Sequence, residues 1–187
     1  MNDSIFDQFP LLQTKRLVLR EPRLSDAEAH YRIFTDSRTL TYLGRDPMAS
    51  LTEAQEKLQR WIGDYEKKDG IRWVLEEKAT GRYVGSAGFW RLIRPHFRAE
   101  IGYETDPECW NCGYMTEALQ TIIPFGFETI GLHSVEGNIH PENVGSRRIL
   151  EKLGFVQEGY YKEHYFFDGE FSDTASFSLL SPLRFQA

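Results

Sequence analysis

The stretch "PECWNCGYMTEAL", Pro107 to Leu119, holds both cysteines of the chain, Cys109 and Cys112, in C-x-x-C spacing. That spacing suits a redox dithiol or half of a zinc site. Gly113 and a helix-like run follow at once, which suits a backbone loop built to hold an anion. A redox dithiol sits at a helix N-terminus, where the thiol pKa falls, and this pair does precede a helix. Yet thioredoxin-like motifs belong to a compact βαβ unit near the start of a smaller domain. Here the pair lies past the midpoint, after three strand-like runs. Zinc takes four ligands as a rule, and His133 and His140 downstream are spaced too widely for the usual second half of such a site. The anion-loop reading uses more of the residues. An extended run over Ile101 to Thr105, a short turn, Gly113 and a helix would place bare backbone N–H groups at a helix N-terminus. Those groups and the macrodipole bind phosphate without a cationic side chain, and Gly113 lets a ligand approach the backbone closely.

Outward from that stretch, the periodicities give the order β-α-α-β-β-β-α-β-α-β-β. "KRLVLREP" alternates and ends at Pro22. Ser25 with Glu28, and Thr52 with Gln55, form capping-box patterns that place two helix starts. Ala54, Leu58, Trp61, Ile62 and Tyr65 make an apolar stripe at helical spacing, which predicts packing on a core. "IRWVLEE", "RYVGSAGFWRLI" and "RAEIGYETD" read as strands. "GYMTEALQTIIPFGFETIG" predicts a long helix stopped by Gly131. Pro124 inside it predicts a kink near Gln120 to Pro124, or an early end. "HSVEGNIH" reads as a strand, and "PENVGSRRILEKLG" as a helix starting at Pro141 or Asn143 and capped by Gly154. The last stretch reads as two strands joined at Asp168-Gly169. Tyr160, Tyr161, Tyr165, Phe166 and Phe167 are expected as core and wall residues.

Composition narrows the classes. The chain of 187 residues carries a net charge of -6, so a nucleic-acid partner has no electrostatic support. No uninterrupted apolar run approaches ~18 residues, and no signal peptide is visible, so a membrane span is not expected and a cytoplasmic location is. The histidines show no metal or nucleophile pattern, and no metal is expected.

"AEIGYETDPECWNCGYMTEAL", followed by "HPENVGSRRILEKLGFVQEG", resembles the GNAT superfamily of N-acetyltransferases, and most closely its RimJ/RimL-like branch of ribosomal-protein N-terminal acetyltransferases. The resemblance runs from about Gln13 to Pro182. It implies an α+β, mixed α/β fold: a splayed, mostly antiparallel central sheet flanked by helices. Residues 1–12 would be an N-terminal tail, 13–182 the acetyltransferase domain and 183–187 a C-terminal tail. The co-substrate implied is acetyl-CoA. The family's cofactor loop, Q/R-x-x-G-x-G/A, reads here Trp110, Asn111, Cys112, Gly113, Tyr114, Met115. Its central glycine is kept, with Trp110 and Met115 as departures. By resemblance, residues Trp110 to Thr116 would cradle the pyrophosphate with backbone amides. Tyr103, Glu104 and Thr105 would line the pantetheine arm with main-chain groups, and Asn143 would face that arm. Dimers are common in the family, so a homodimer is among the assemblies implied.

Acetyl transfer to an amine needs a neutral nucleophile, a donor for the oxyanion and a proton for the leaving thiolate. An α-amine, with a pKa of about 7.7–8.0 against about 10.4 for lysine, needs only mild help. Glu100, on the strand that leads to the loop, is the expected base; the plain alternative is a surface or paired carboxylate. A strand N–H near Tyr103 to Thr105 is the expected oxyanion donor. Ser146 is the expected hydroxyl donor to the thiolate, by its match to the branch's Asn-x-x-Ser pattern; its alternative is a serine that only caps the helix. Asp173 would orient substrate or brace the last hairpin. The branch favours a protein N-terminal α-amine as acceptor, of ribosomal-protein type. A small amine (polyamine, amino acid or amine toxin) and a non-catalytic CoA-binding module stand as the alternatives.

Overall fold

A computed structural model describes residues 1–183 of the chain. Eight strands form one sheet: β1 (Leu12–Gln13), β2 (Leu17–Arg20), β3 (Ile71–Glu77), β4 (Tyr83–Ile93), β5 (Arg98–Thr105), β6 (Ser134–Ile139), β7 (Val156–Phe167) and β8 (Glu170–Leu180). Their order is β1-β2-β3-β4-β5-β6-β8-β7. All neighbours are antiparallel except β5 and β6, which run parallel. Helices α1 (Ala27–Thr35), α2 (Ser37–Leu40), α3 (Leu51–Glu66), α4 (Tyr114–Phe125) and α5 (Val144–Lys152) flank it. The mixed, mostly antiparallel sheet flanked by helices is the architecture expected. The two-residue β1 and four-residue α2 are additions, too short to leave a periodic signal.

Side-chain alternation assigns the helices to faces. Ile71, Trp73 and Leu75 of β3, with Ala99 and Ile101 of β5, share a core with Leu119 and Ile122 of α4 and Leu150 of α5. The intervening Val74, with Tyr83, packs against Ile33 and Phe34 of α1 and Ala54, Leu58 and Trp61 of α3. The stripe read on α3 is therefore a core stripe. Burial on both faces explains why β3 is apolar at consecutive positions.

Three boundaries differ from expectation. Helix α3 starts at Ser50, whose Oγ accepts the Glu53 N–H at 3.2 Å, while Glu53 accepts the Ala49 N–H at 2.8 Å. This Ser-x-x-Glu pattern prevails over Thr52 and Gln55 two residues on. At α1, Ser25 gives way to Asp26, which accepts from Arg23 N–H at 2.8 Å and pairs with buried Arg20 at 2.7 Å. Pro124 does not end the helix early, between Gln120 and Pro124. Helix α4 runs to Phe125 and passes into a π turn, Gly126–Ile130, before Gly131 stops it at φ 80°.

Two expectations about packing are corrected. Residues 1–12 are fixed to the domain rather than trailing from it. Ile5 is buried, Asn2 N–H donates to Ile130 O at 2.8 Å, Tyr65 Oη to Ile5 O at 2.7 Å and Trp73 Nε1 to Pro10 O at 2.8 Å. Of the expected C-terminal tail, all but Leu183 lies outside the described residues. The aromatic residues of β7 are not core: Tyr160, Tyr161, Tyr165 and Phe166 are about half exposed. β7 is an edge strand, paired among the described residues with β8 alone. Asp173 braces this hairpin, accepting from Tyr160 Oη at 2.6 Å and Glu163 N–H at 2.8 Å. The turn is the expected one, with Asp168 and Gly169 both at positive φ.

Candidate active site

The sheet parts between β5 and β6. Their pairing stops at Glu100↔Glu136 after three residue pairs, whereas β5 stays paired with β4 as far as Thr105. The ladder shows which groups face the parting. Asp106 N–H donates to Val84 O at 2.8 Å. Antiparallel bonding alternates, so Glu104 and Gly102 also bond to β4. Ile101, Tyr103 and Thr105 then turn their N–H and C=O groups toward β6, where the last bridge, Glu100↔Glu136, takes the Ile101 N–H and leaves Tyr103 and Thr105 beyond the pairing. The Thr105 carbonyl is already occupied, accepting from Trp110 Nε1 at 2.9 Å. Trp110 thus ties the loop to the end of the strand, a role for its side chain that a backbone-only motif does not carry.

The loop after β5 is a bare-amide cradle. A 3-10 turn, Pro107–Cys109, is capped by Asp106, which accepts from Glu108 N–H at 3.0 Å. Asn111 at φ 60° and Gly113 at φ 77° are both left-handed, a pattern that turns successive N–H groups into one hollow. Tyr114, Met115 and Thr116 open α4, where N–H groups lack intrahelical acceptors. A Cβ on Gly113 would meet one atom, Arg16 Nη2 at 3.6 Å, so the space above it is otherwise open. Met115 is buried in the core, and Tyr114 Oη bonds to Glu77. These two residues offer the loop their amides and not their side chains. Both thiols are free; Cys109 is buried and Cys112 exposed. Burial pushes the Cys109 thiol above its ordinary pKa.

Sequence reasoning missed Arg16. Its Nε pairs with Glu117 Oε2 at 2.7 Å, its Nη1 donates to Cys112 O at 2.9 Å and its guanidinium lies 4.3 Å from the Tyr114 ring centroid. It is the cation beside Gly113, and it neutralises a carboxylate in the first turn of α4. The available clue was Glu117 itself, an acid next to a proposed anion site.

Helix α5 approaches the parting from the α4 side. Asn143 is its N-cap, accepting from Ser146 N–H at 3.0 Å, so its side-chain oxygen is engaged in capping. Tyr103 Oη donates to Ser146 O at 3.4 Å, and burial pushes that phenol up to about 12. Strand and helix are thereby linked, with Ser146 at the junction.

The opposite face carries charge. Glu100 alternates away from Ala99 and Ile101, toward the side of α1 and α3. It is largely buried and 3.3 Å from Arg91 Nη1. Desolvation raises its pKa, opposed by Asn138 and Arg91. Farther along the same face, Glu104 is buried and bonded to Arg72 and Ser86. His30, fully buried 4.0 Å from Glu104, is held neutral by burial and then by Arg72, its pKa pushed down to about 3. Glu100 and Ser146 thus lie on opposite faces with the parting between them. Among the described residues, no group of three or more His, Cys, Asp or Glu is placed to hold a metal.

Comparison with known proteins gives this arrangement a family. Residues 16–156 match the acetyltransferase (GNAT) domain model. The chain belongs to the GNAT acetyltransferase family. This N-acetyltransferase is 36% identical over 174 residues to the uncharacterized N-acetyltransferase YoaA of Bacillus subtilis, covering 93% of this chain and 98% of YoaA. A GNAT-family acetyltransferase structure from Bacillus anthracis superposes with TM-score 0.82 at 25% identity, covering 91% of this chain and 98% of that one. More distant relatives have named acceptors. The [ribosomal protein uS5]-alanine N-acetyltransferase of Escherichia coli is 33% identical over 100 residues, 53% of this chain and 52% of that one. The spermidine N(1)-acetyltransferase of Vibrio cholerae is 23% identical over 165 residues, 88% of this acetyltransferase and 93% of that one.

Proposed function

We propose that the protein transfers the acetyl group of acetyl-CoA to a primary amine, with a protein N-terminal α-amine as favoured acceptor, in the cytoplasm. The observation that carries this is the parting of β5 from β6, which leads directly into the bare-amide loop before α4. In this reading residues 13–182 form the acetyltransferase unit. The amides of Asn111 to Thr116 hold the pyrophosphate, with Arg16 as side-chain cation; the Trp110 N–H, expected among them, is instead donated to Pro107 O at 3.2 Å. Tyr103, Glu104 and Thr105 border the pantetheine arm, Tyr103 through its open edge, Thr105 through its N–H alone because Trp110 holds its carbonyl, and Glu104 through the strand it anchors. Asn143 and Ser146 close the other side from α5.

Acetyl-CoA supplies an activated thioester, and the protein's own groups manage protons and charge. Glu100, with its raised pKa, accepts the amine's proton directly or through one water. The Tyr103 N–H on the open edge donates to the oxyanion that develops at the thioester carbonyl. Ser146 Oγ donates to the departing thiolate. Ribosomal-protein type acceptors are supported by the uS5-alanine relative, and small amines by the spermidine relative. The test is thiol release from acetyl-CoA with N-terminal peptides and small amines side by side, repeated with Glu100→Gln and Ser146→Ala. Full activity in both variants would remove the catalytic assignment. Acetyl-CoA binding without thiol release from any amine would leave a binding module.

A further inference from the structure

The face of the sheet that carries Glu100 also carries two hydrogen-bond donors that no group among the described residues accepts from. Arg72 lies flat across the sheet from β3 toward β5. Its Nε donates to Ser86 Oγ at 2.7 Å, its Nη2 bonds to Glu104 and its guanidinium sits 4.9 Å from the Trp61 ring centroid. Three contacts therefore fix its direction. The remaining nitrogen, Nη1, has no hydrogen-bond partner among the described residues. It lies above Gly102: a Cβ built there would be 2.9 Å from Arg72 Nη1 and 3.5 Å from Trp90 Nε1. Trp90 pairs with Glu100 across β4 and β5, is 47% exposed, and its indole N–H likewise has no protein acceptor among the described residues. Glycine at 102 leaves room where any side chain would cover both donors. Gly102 lies two residues beyond Glu100, on the same face and about 7 Å along the strand.

Charge on this face is already balanced. Glu100 faces Arg91 at 3.3 Å, Glu104 is bonded to Arg72, and Glu136 pairs with Arg98 at 2.6 Å. A polycationic amine would find no unmatched carboxylate among these three. What the face offers beyond Glu100 is a pair of N–H donors, which require an oxygen on the acceptor.

We propose that Arg72 Nη1 and Trp90 Nε1 form an acceptor subsite that holds the carbonyl oxygen of an α-amino acyl group while its amine lies against Glu100. The inference rests on the acetyltransferase reading and narrows it: the acceptor carries oxygen on the carbon next to its amine-bearing carbon. Peptide N-termini and free amino acids share this chemistry, whereas spermidine and simple alkyl amines lack it. A donor site left unpaired by the wrong ligand discriminates more strongly than an apolar one.

The test measures thiol release from acetyl-CoA with an alanine-initiated peptide, free alanine, propylamine and spermidine. The wild type should prefer the two carbonyl-bearing amines by at least about 10-fold in kcat/KM, and the ratio between those two tells the sources apart. Trp90→Phe keeps the ring and removes the N–H, so it should raise KM for the alanine peptide about 3- to 10-fold, the effect of one neutral hydrogen bond. It should leave propylamine and the KM for acetyl-CoA unchanged. Arg72→Gln combined with Glu104→Gln removes the pair together, so no lone buried charge remains, and it should lower discrimination further. Equal use of propylamine and peptide, or unchanged discrimination in both variants, overturns the subsite and leaves acetyl transfer standing. No thiol release with any acceptor overturns both.

Discussion

Replacing Gly113 by alanine isolates the backbone conformation of the loop from its side-chain contacts. Gly113 is at φ 77°, and the added Cβ would stand 3.6 Å from Arg16 Nη2, its one neighbour within 4 Å among the described residues. That distance is ordinary van der Waals contact, so sterics add little and the penalty is conformational. Holding an L-residue in the left-handed region costs about 1–2 kcal/mol, a factor of about 5–30 in an equilibrium constant. The cost divides between two measurements. If the loop keeps its shape without ligand, folding carries the strain, and Tm falls by about 2–4 °C per kcal/mol for a domain of this size. If the loop relaxes, Tm stays, and the strain returns when acetyl-CoA requires the left-handed shape, weakening its Kd by the same factor. Differential scanning calorimetry and titration calorimetry on one preparation give both shares. Their sum should reach about 1–2 kcal/mol. A variant with unchanged Tm and unchanged acetyl-CoA affinity refutes both the strained cradle and its role in binding.

Three further outcomes follow from the geometry. Burial raises the Glu100 pKa, so kcat/KM should fall with decreasing pH from a point above the usual carboxylate range. Glu100→Gln should lower the rate about 10²- to 10⁴-fold and remove the Glu100 step from the profile in thiol-release assays, leaving the fall set by protonation of the amine itself. Exposed Cys112 should react with thiol reagents before buried Cys109. Acetyl-CoA should slow the first reaction, and mass spectrometry after graded alkylation would show equal rates if Cys112 does not border the cofactor. His30 titrates at about 3 when folded against an ordinary 6.5. The unfolded chain therefore binds the extra proton first, and stability contributed by neutral His30 is lost as pH falls from 6.5 toward 3. Urea unfolding across that window should show the loss, and His30→Gln should flatten it.

Patterns with a local cause were legible in the sequence. The α3 stripe, the Asp168-Gly169 hairpin and the Gly131 stop each depend on residues a few positions apart. The α1 start was misread because Asp26 answers to Arg20, a partner outside the capping window. Burial along β7 was misread because aromatic residues look alike on an edge strand and on a central one; strand order, a non-local property, decides between them. The bare-amide loop could be read from Gly113 and the helix after it. Arg16, 97 residues upstream of Gly113, could not: β2 brings it there through pairing with β3 and packing against α4. The donor pair over Gly102 was invisible for a related reason. It requires β3, β4 and β5 in register, and its most telling residue is a glycine with no side chain to suggest a role.

The parting between β5 and β6 has a consequence for hydrogen exchange. Tyr103 and Thr105 on that edge lie deep in a sheet, yet among the described residues their amides have no strand partner, so they should exchange like those of an outer strand. A pantetheine arm seated in the gap would serve as a surrogate ninth strand. It would close the ladder by its own amides and hold together two halves of the sheet that otherwise share three residue pairs. Ligand protection should therefore appear first at amides on the open edge of β5, and the two halves of the sheet should unfold more nearly as one unit when the gap is filled.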